Sequence, residues 1–217
     1  MDFGTLVGEA FGYAKEGLIG KWVKWILLLI ATIILMLPLM GYTLRIYRGE
    51  KPAPEVNQWG TLFIDGIKYL IISLIYAIPV IIIFILSFGP LFMDIASGHI
   101  EKITPGAALT AGGGLILLII VGFIIALFEY IGIIRFARTG SMGEAFNFGA
   151  ISAHIGKIGW GSYIVALIIM MIILGIIEMI LSLIPLIGTL LVFLLLPLIV
   201  MFQARYLCMV YDSAGLA

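Results

Sequence analysis

Residues 163–183 read YIVALIIMMIILGIIEMILSL, a stretch whose one charged side chain is Glu178. A helix rises 1.5 Å per residue, so about 20 such residues cross a hydrocarbon core of ~30 Å. The apolar run continues to Tyr211, too long for one crossing, and Ile184-Pro185-Leu186-Ile187-Gly188 supplies a stop and a turn. The same reading applied outward gives five spans: about 25–44, 69–88, 111–134, 163–183 and 189–210. Pro38, Pro79 and Pro197 fall inside these segments, where each removes a backbone donor and kinks its helix.

Residues 1–21 follow a different rule. Phe3, Leu6, Val7, Ala10, Phe11, Ala14 and Leu18 share one helical stripe, and Asp2, Thr5, Glu9 and Glu16 lie opposite. This predicts an amphipathic helix in the membrane interface and not a signal peptide, which needs a continuous apolar core. Residues of about 142–155 read as a second interfacial helix. The fold class is therefore an all-α polytopic membrane protein, one membrane domain over residues 1–217.

Composition agrees. Hydrophobic residues make up 63% of the chain and charged residues 11%, against ~45–50% and ~25% in soluble domains. A soluble enzyme and a nucleic-acid binder are excluded. Lys+Arg and Asp+Glu are both 12, so no net charge draws the chain to polyanions. Cys208 is the one cysteine, and His99 and His154 stand far apart, so no disulfide, metal site or cofactor is expected.

Five spans put Lys15, Lys21, Lys24 and Lys102 on one side. Arg45, Arg48, Lys51, Lys68, Arg135, Arg138, Lys157 and Arg205 fall on the other. The positive-inside rule then predicts an external N-terminus and a cytoplasmic C-terminus in the cell membrane. Tyr42, Tyr47, Tyr69, Trp160, Tyr163 and Tyr206 would form an aromatic belt on the cytoplasmic side, and Trp22 and Trp25 would anchor the outer end of the first span.

The chain also resembles itself. Arg45-x-x-Arg48 and Arg135-x-x-Arg138 each follow an apolar helix, and each precedes a Gly-x-x-Phe-x-x-Gly segment, Gly60–Gly66 and Gly143–Gly149. These four arginines are candidate headgroup contacts. Gly8-Glu9-Ala10-Phe11 matches Gly143-Glu144-Ala145-Phe146, although the five-span topology puts the two on opposite sides.

The segments Gly41-Tyr42-x-Leu44-Arg45-x-x-Arg48-Gly49, Trp59-Gly60-x-Leu62-Phe63-x-Asp65-Gly66-Ile67-Lys68, Tyr76-Ala77-Ile78-Pro79 and Gly143–Gly149 resemble a mainly archaeal family of multi-pass membrane proteins. That family is filed as domain of unknown function four thousand and thirteen. More distantly it is similar to the membrane domain attached to some glycerophosphodiester phosphodiesterases. The resemblance implies the helical layout and brings no activity with it.

No phosphate-binding glycine loop, zinc-protease helix, nucleophile elbow or carboxylate pair can be read, so an enzyme is not expected. A charge at mid-helix costs about 2.5–3.5 kcal/mol on insertion scales, which makes intramembrane ionisable groups the candidates. Glu129 is expected to pair at one depth with Arg205, or else Arg45, with Gln203 completing the polar cluster, and Glu178 has no basic residue near it on the outer side except Lys21, Lys24 or Lys102. Gly4, Gly8 and Gly12 form a smooth strip for helix association. His99 and Glu101 read as a solvated loop. The function expected is a non-enzymatic membrane protein that binds lipid, a second copy or a partner membrane protein. The alternative is a small transporter or channel subunit using the two carboxylates.

Overall fold

A computed structural model describes residues 1–96, 98, 105–184 and 187–215. His99, Glu101, Lys102 and the Pro185-Leu186 turn lie outside the described residues. Among the described residues eight α-helices follow in order: α1 Phe3–Leu18, α2 Trp22–Ile33, α3 Leu37–Tyr47, α4 Trp59–Ala96, α5 Pro105–Thr139, α6 Phe148–Ile158, α7 Trp160–Ser182 and α8 Ile187–Asp212. Short 3-10 turns cover Met142–Phe146 and Ser213–Gly215. The protein is all-α and polytopic. Among the described residues four helices are long and apolar enough to cross a membrane, within Trp59–Met93, Leu109–Thr139, Trp160–Ser182 and Ile187–Gly215.

The segment expected as the first span is not one helix. The chain breaks between α2 and α3, where Leu35 and Met36 take φ of 52° and 59°, a left-handed conformation that side-chain-bearing residues rarely adopt. Pro38 sits in the first turn of α3, where its missing N–H is unpaired in any helix. It opens a helix instead of kinking one. Pro79 and Pro197 do lie inside α4 and α8.

The fold divides into two compact units, residues Met1–Ile71 with Tyr130–Ala217, and Ile72–Glu129. In the first, α1 packs along α8 through small side chains. Ala10, Ala14 and Gly17 are buried, and a Cβ on Gly17 would come within 2.4 Å of Met201 Cε. Gly8 and Gly12, from the expected association strip, face open space. The Trp25 indole N–H, at the start of α2, donates to the Leu194 carbonyl of α8 at 2.8 Å. The chain then turns back, and in α3 Tyr42 and Tyr47 lie beside Met201 and Cys208 of α8. Helices α2 and α3 are thus a hairpin that enters and returns at the same end. Met1 and Asp2 share one cleft with Asp212 and Ser213. Residues 1–2 and 212–213 thus lie at one end of this unit.

Close approach of α3 and α4 explains two glycines. A Cβ on Gly41 would lie 2.0 Å from the Leu62 carbonyl oxygen, and one on Gly66 would lie 1.9 Å from that of Leu37. Gly149, the repeat counterpart of Gly66, meets nothing closer than 3.8 Å. Four of the tyrosines expected in a belt are core residues: Tyr42, Tyr47, Tyr163 and Tyr206 are all buried, and the Tyr42 and Tyr206 hydroxyls donate to the Pro54 and Ala166 carbonyls at 2.9 Å, whereas Tyr69 is half-buried and Trp160 exposed. In the second unit α4 and α5 run antiparallel. Ser73 stands opposite Glu129, and Ser87 opposite Gly114, whose missing side chain leaves room for it.

Candidate functional site

The arginines at the ends of α3 and α5 are tied to the protein itself. Arg45 donates to the Glu55 carbonyl at 3.0 Å and to the Asn57 side chain at 2.9 Å, fixing the loop between α3 and α4. Arg48 pairs with Asp65 at 2.6 Å, and Arg135 pairs with Glu144. Arg138 donates to the Tyr47 carbonyl at 2.6 Å and to Asp212 at 2.8 Å, so it joins the ends of α3, α5 and α8. Sequence reasoning missed the partners Asp65, Glu144 and Asp212. Only Glu144 lay near enough in the chain, nine residues from Arg135, for its charge to signal the pair.

The intramembrane candidates have different surroundings. Glu129, in the second unit, accepts a 2.7 Å hydrogen bond from the Ser73 hydroxyl. Glu178 is exposed on α7. Gln203 and Arg205, two residues apart on α8, point to different sides of the helix. Gln203 lines a cavity of about 160 Å³ with Met40, Thr43 and Tyr69. Arg205, in the first unit, opens into the cleft shared by Asp2 and Asp212.

Two cavities therefore flank α1. The first is that cleft, about 500 Å³, lined by Asp2, Thr5, Glu9, Lys51, Arg205 and Asp212 among others. Asp2 caps α1, accepting from the Gly4 amide at 2.9 Å and the Thr5 hydroxyl at 2.7 Å. These hydrogen bonds, that of Thr5 first, hold its carboxyl below the usual range. Arg205 is 3% exposed, and its guanidinium carbon lies 5.2 Å over the centroid of the Tyr13 ring. Tyr13 is placed by its own hydrogen bond to the Glu50 carbonyl at 3.0 Å, and burial pushes its phenol up, keeping it a neutral donor.

The second cavity is apolar, about 280 Å³, between Val7 and Phe11 of α1, Leu174 and Ile177 of α7, and Ile199 and Phe202 of α8. Its walls sit near the middle of α8, whereas the cleft opens at the helix end. Phe202 and Arg205 are one helical turn apart, about 4.5 Å of rise.

Beside the cleft, His154 of α6 hydrogen-bonds the Tyr211 carbonyl through Nε2 at 2.9 Å and stacks on the Tyr211 ring at 3.9 Å. Burial lowers its pKa below the usual value. The hydrogen bond from Arg135, then that from Asn147, holds the Glu144 carboxyl below its usual range.

The family model described as "Protein of unknown function (DUF4013)" matches residues 25–186. The chain belongs to the DUF4013 family. No curated protein and no solved structure matches it. The matched residues of this DUF4013 chain hold all four latching arginines with Asp65 and Glu144, whereas α1 and the whole of α8, which supply most of the lining of the two cavities, lie beyond the match.

Proposed function

We propose that this protein is a non-enzymatic lipid-binding protein of the membrane, with the acyl chain of a lipid held in the groove between α1, α7 and α8. The observation that carries the reading is the groove itself: its lining side chains are all apolar, and it lies at mid-helix depth. A lipid tail gains no hydrophobic energy by leaving other tails, so retention comes from dispersion contacts with a fitted wall. Phe11 on the groove wall is 53% exposed, so an occupant adds contacts to it.

Filling the groove tests this. Native mass spectrometry of the detergent-solubilised protein should show retained lipid, and Leu174→Trp should reduce it several-fold without lowering the melting temperature. Equal lipid retention in the filled variant would remove the basis of the reading.

A second reading, a transporter or channel subunit, draws support from the Ser73–Glu129 hydrogen bond between two apolar helices. There Glu129 is a protonatable group, and Glu129→Gln should abolish proton-coupled flux in reconstituted vesicles. Absence of any flux in the parent protein would end it.

For orientation, the same-end position of residues 1–2 and 212–213 supports both termini on the cytoplasmic side. Lys15, Lys21 and Lys24 then join the eight Lys and Arg already counted there, and the positive-inside bias strengthens. The match between Gly8–Phe11 and Gly143–Phe146 then falls on one side.

A further inference from the structure

Arg205 differs from the other arginines of this end. Arg45, Arg48, Arg135 and Arg138 each reach a carboxylate or carbonyl oxygen. Arg205 is 3% exposed, yet among the described residues it has neither a hydrogen bond nor an ion pair. The Tyr13 ring lies against it. An aromatic face attracts the cation, but it does not accept the five N–H donors that a guanidinium directs within its own plane. A buried cation left so is costly unless an anion or water completes it.

The acids of the cleft do not complete it. The Asp2 carboxylate is occupied by the first turn of α1, and that of Asp212 by Arg138. What remains is Arg205 at the floor and Lys51, exposed at the mouth, against the exposed carboxylate of Glu9. A volume of about 500 Å³ exceeds the needs of an inorganic oxyanion and leaves room for a group attached to it. Met209 and Leu6 supply apolar wall on the same cleft. The apolar groove begins one turn deeper along α8, at Phe202.

We propose that the cleft binds the phosphate of a lipid headgroup, with the buried Arg205 guanidinium as its ligand and Lys51 as a second cation at the mouth. The inference names the headgroup of the lipid whose chain the groove takes. It rests on the lipid-binding reading for that chain, while the phosphate seat stands on Arg205 alone. Bidentate oxygen pairs match the guanidinium fork, and Lys51 adds an exposed, screened attraction.

The full chain in an uncharged maltoside detergent is titrated, with thermal unfolding as readout, against three probes: short-chain phosphatidylglycerol, a short-chain diacylglycerol and inorganic phosphate. Phosphatidylglycerol should stabilise the protein, and diacylglycerol, which offers the groove its chains but the cleft no phosphate, should do so clearly less. Lys51→Gln, at an exposed position, should weaken the phosphatidylglycerol response about two- to fivefold, and Glu9→Gln, which removes the competing carboxylate, should strengthen it. Arg205→Gln should weaken it by at least about 30-fold. If that variant does not fold, the opposite shifts of the Lys51 and Glu9 variants decide alone. Leu174→Trp should keep the response to the phosphate group, so a failed groove and a failed cleft give different results. Equal stabilisation by diacylglycerol, or responses unchanged in both mouth variants, would overturn the proposal. Inorganic phosphate matching phosphatidylglycerol would overturn the headgroup as the source of the anion.

Discussion

At the scale of single residues, the glycines separate by what stands opposite them. Gly41 and Gly66 face carbonyl oxygens at about 2 Å from where a Cβ would be, and neither backbone can yield without parting α3 from α4. Gly41→Ala should therefore cost about 1–3 kcal/mol despite the better helix propensity of alanine. Gly12→Ala, with nothing within 4 Å, should leave stability unchanged or raise it by about 0.5–1 kcal/mol. Thermal unfolding of the two variants checks the contrast. His154 makes a pH prediction. Burial holds its folded pKa below the ordinary value of 6.5, so on acidification the unfolded chain takes up the proton first. The contribution of this histidine is full above pH 6.5, falls through the window between 6.5 and the lowered folded value, and is fully lost below it. The groups facing the ring are Arg135, Lys157 and Asp212. His154→Gln should flatten the decline in melting temperature between about pH 7.5 and about pH 5.5; an equal decline in both proteins would show that other groups cause it.

At the scale of elements, charge pairs decide where helix ends meet. Arg138 holds the Tyr47 carbonyl and Asp212 together, so its loss frees the ends of both α3 and α8. Arg138→Met should cost about 2–3 kcal/mol, because a buried carbonyl loses its donor and a carboxylate its partner. Asp212→Asn should cost less than about 1 kcal/mol, since Asp212 is 45% exposed and the arginine keeps Tyr47. Equal losses by thermal unfolding would mean that the exposed ion pair, and not the carbonyl contact, carries the junction. The same comparison bears on the repeat read in the sequence. Arg45 and Arg135 correspond by position, yet one ties down a loop and the other pairs with Glu144. Similar motifs serve different junctions because different elements follow them: a long helix after Arg48, and a 3-10 turn with a short helix after Arg138.

At the scale of the whole molecule, the hairpin of α2 and α3 leaves four helices among the described residues long and apolar enough to cross a membrane, and the orientation proposed above puts both termini on one side of it. Single cysteines at positions 2 and 215, introduced in place of Asp2 and Gly215 with Cys208 replaced by Ala, should behave alike toward an impermeant thiol reagent in intact cells, both protected. Labelling of one and protection of the other would restore an odd number of crossings. Membrane class, the positions of α4, α5, α7 and α8, and the helix over Phe3–Leu18 were all determined by the sequence, because uninterrupted apolar length and helical periodicity are local properties. Tertiary structure alone decided three things. Hydropathy cannot tell a segment that crosses from one that turns back at Leu35-Met36, since both avoid water equally. Composition cannot tell a tyrosine at a membrane surface from one buried with its hydroxyl on a carbonyl. Nor can it choose a partner for a charge: Arg138 found Asp212 across 74 residues, Glu129 found Ser73 across 56, and Arg205 is held in the cleft beside the ring of Tyr13. Such pairings depend on which helices pack together, and the packing of α1 on α8 follows from the small side chains Ala10, Ala14 and Gly17, whose role appears only when the facing surface is known.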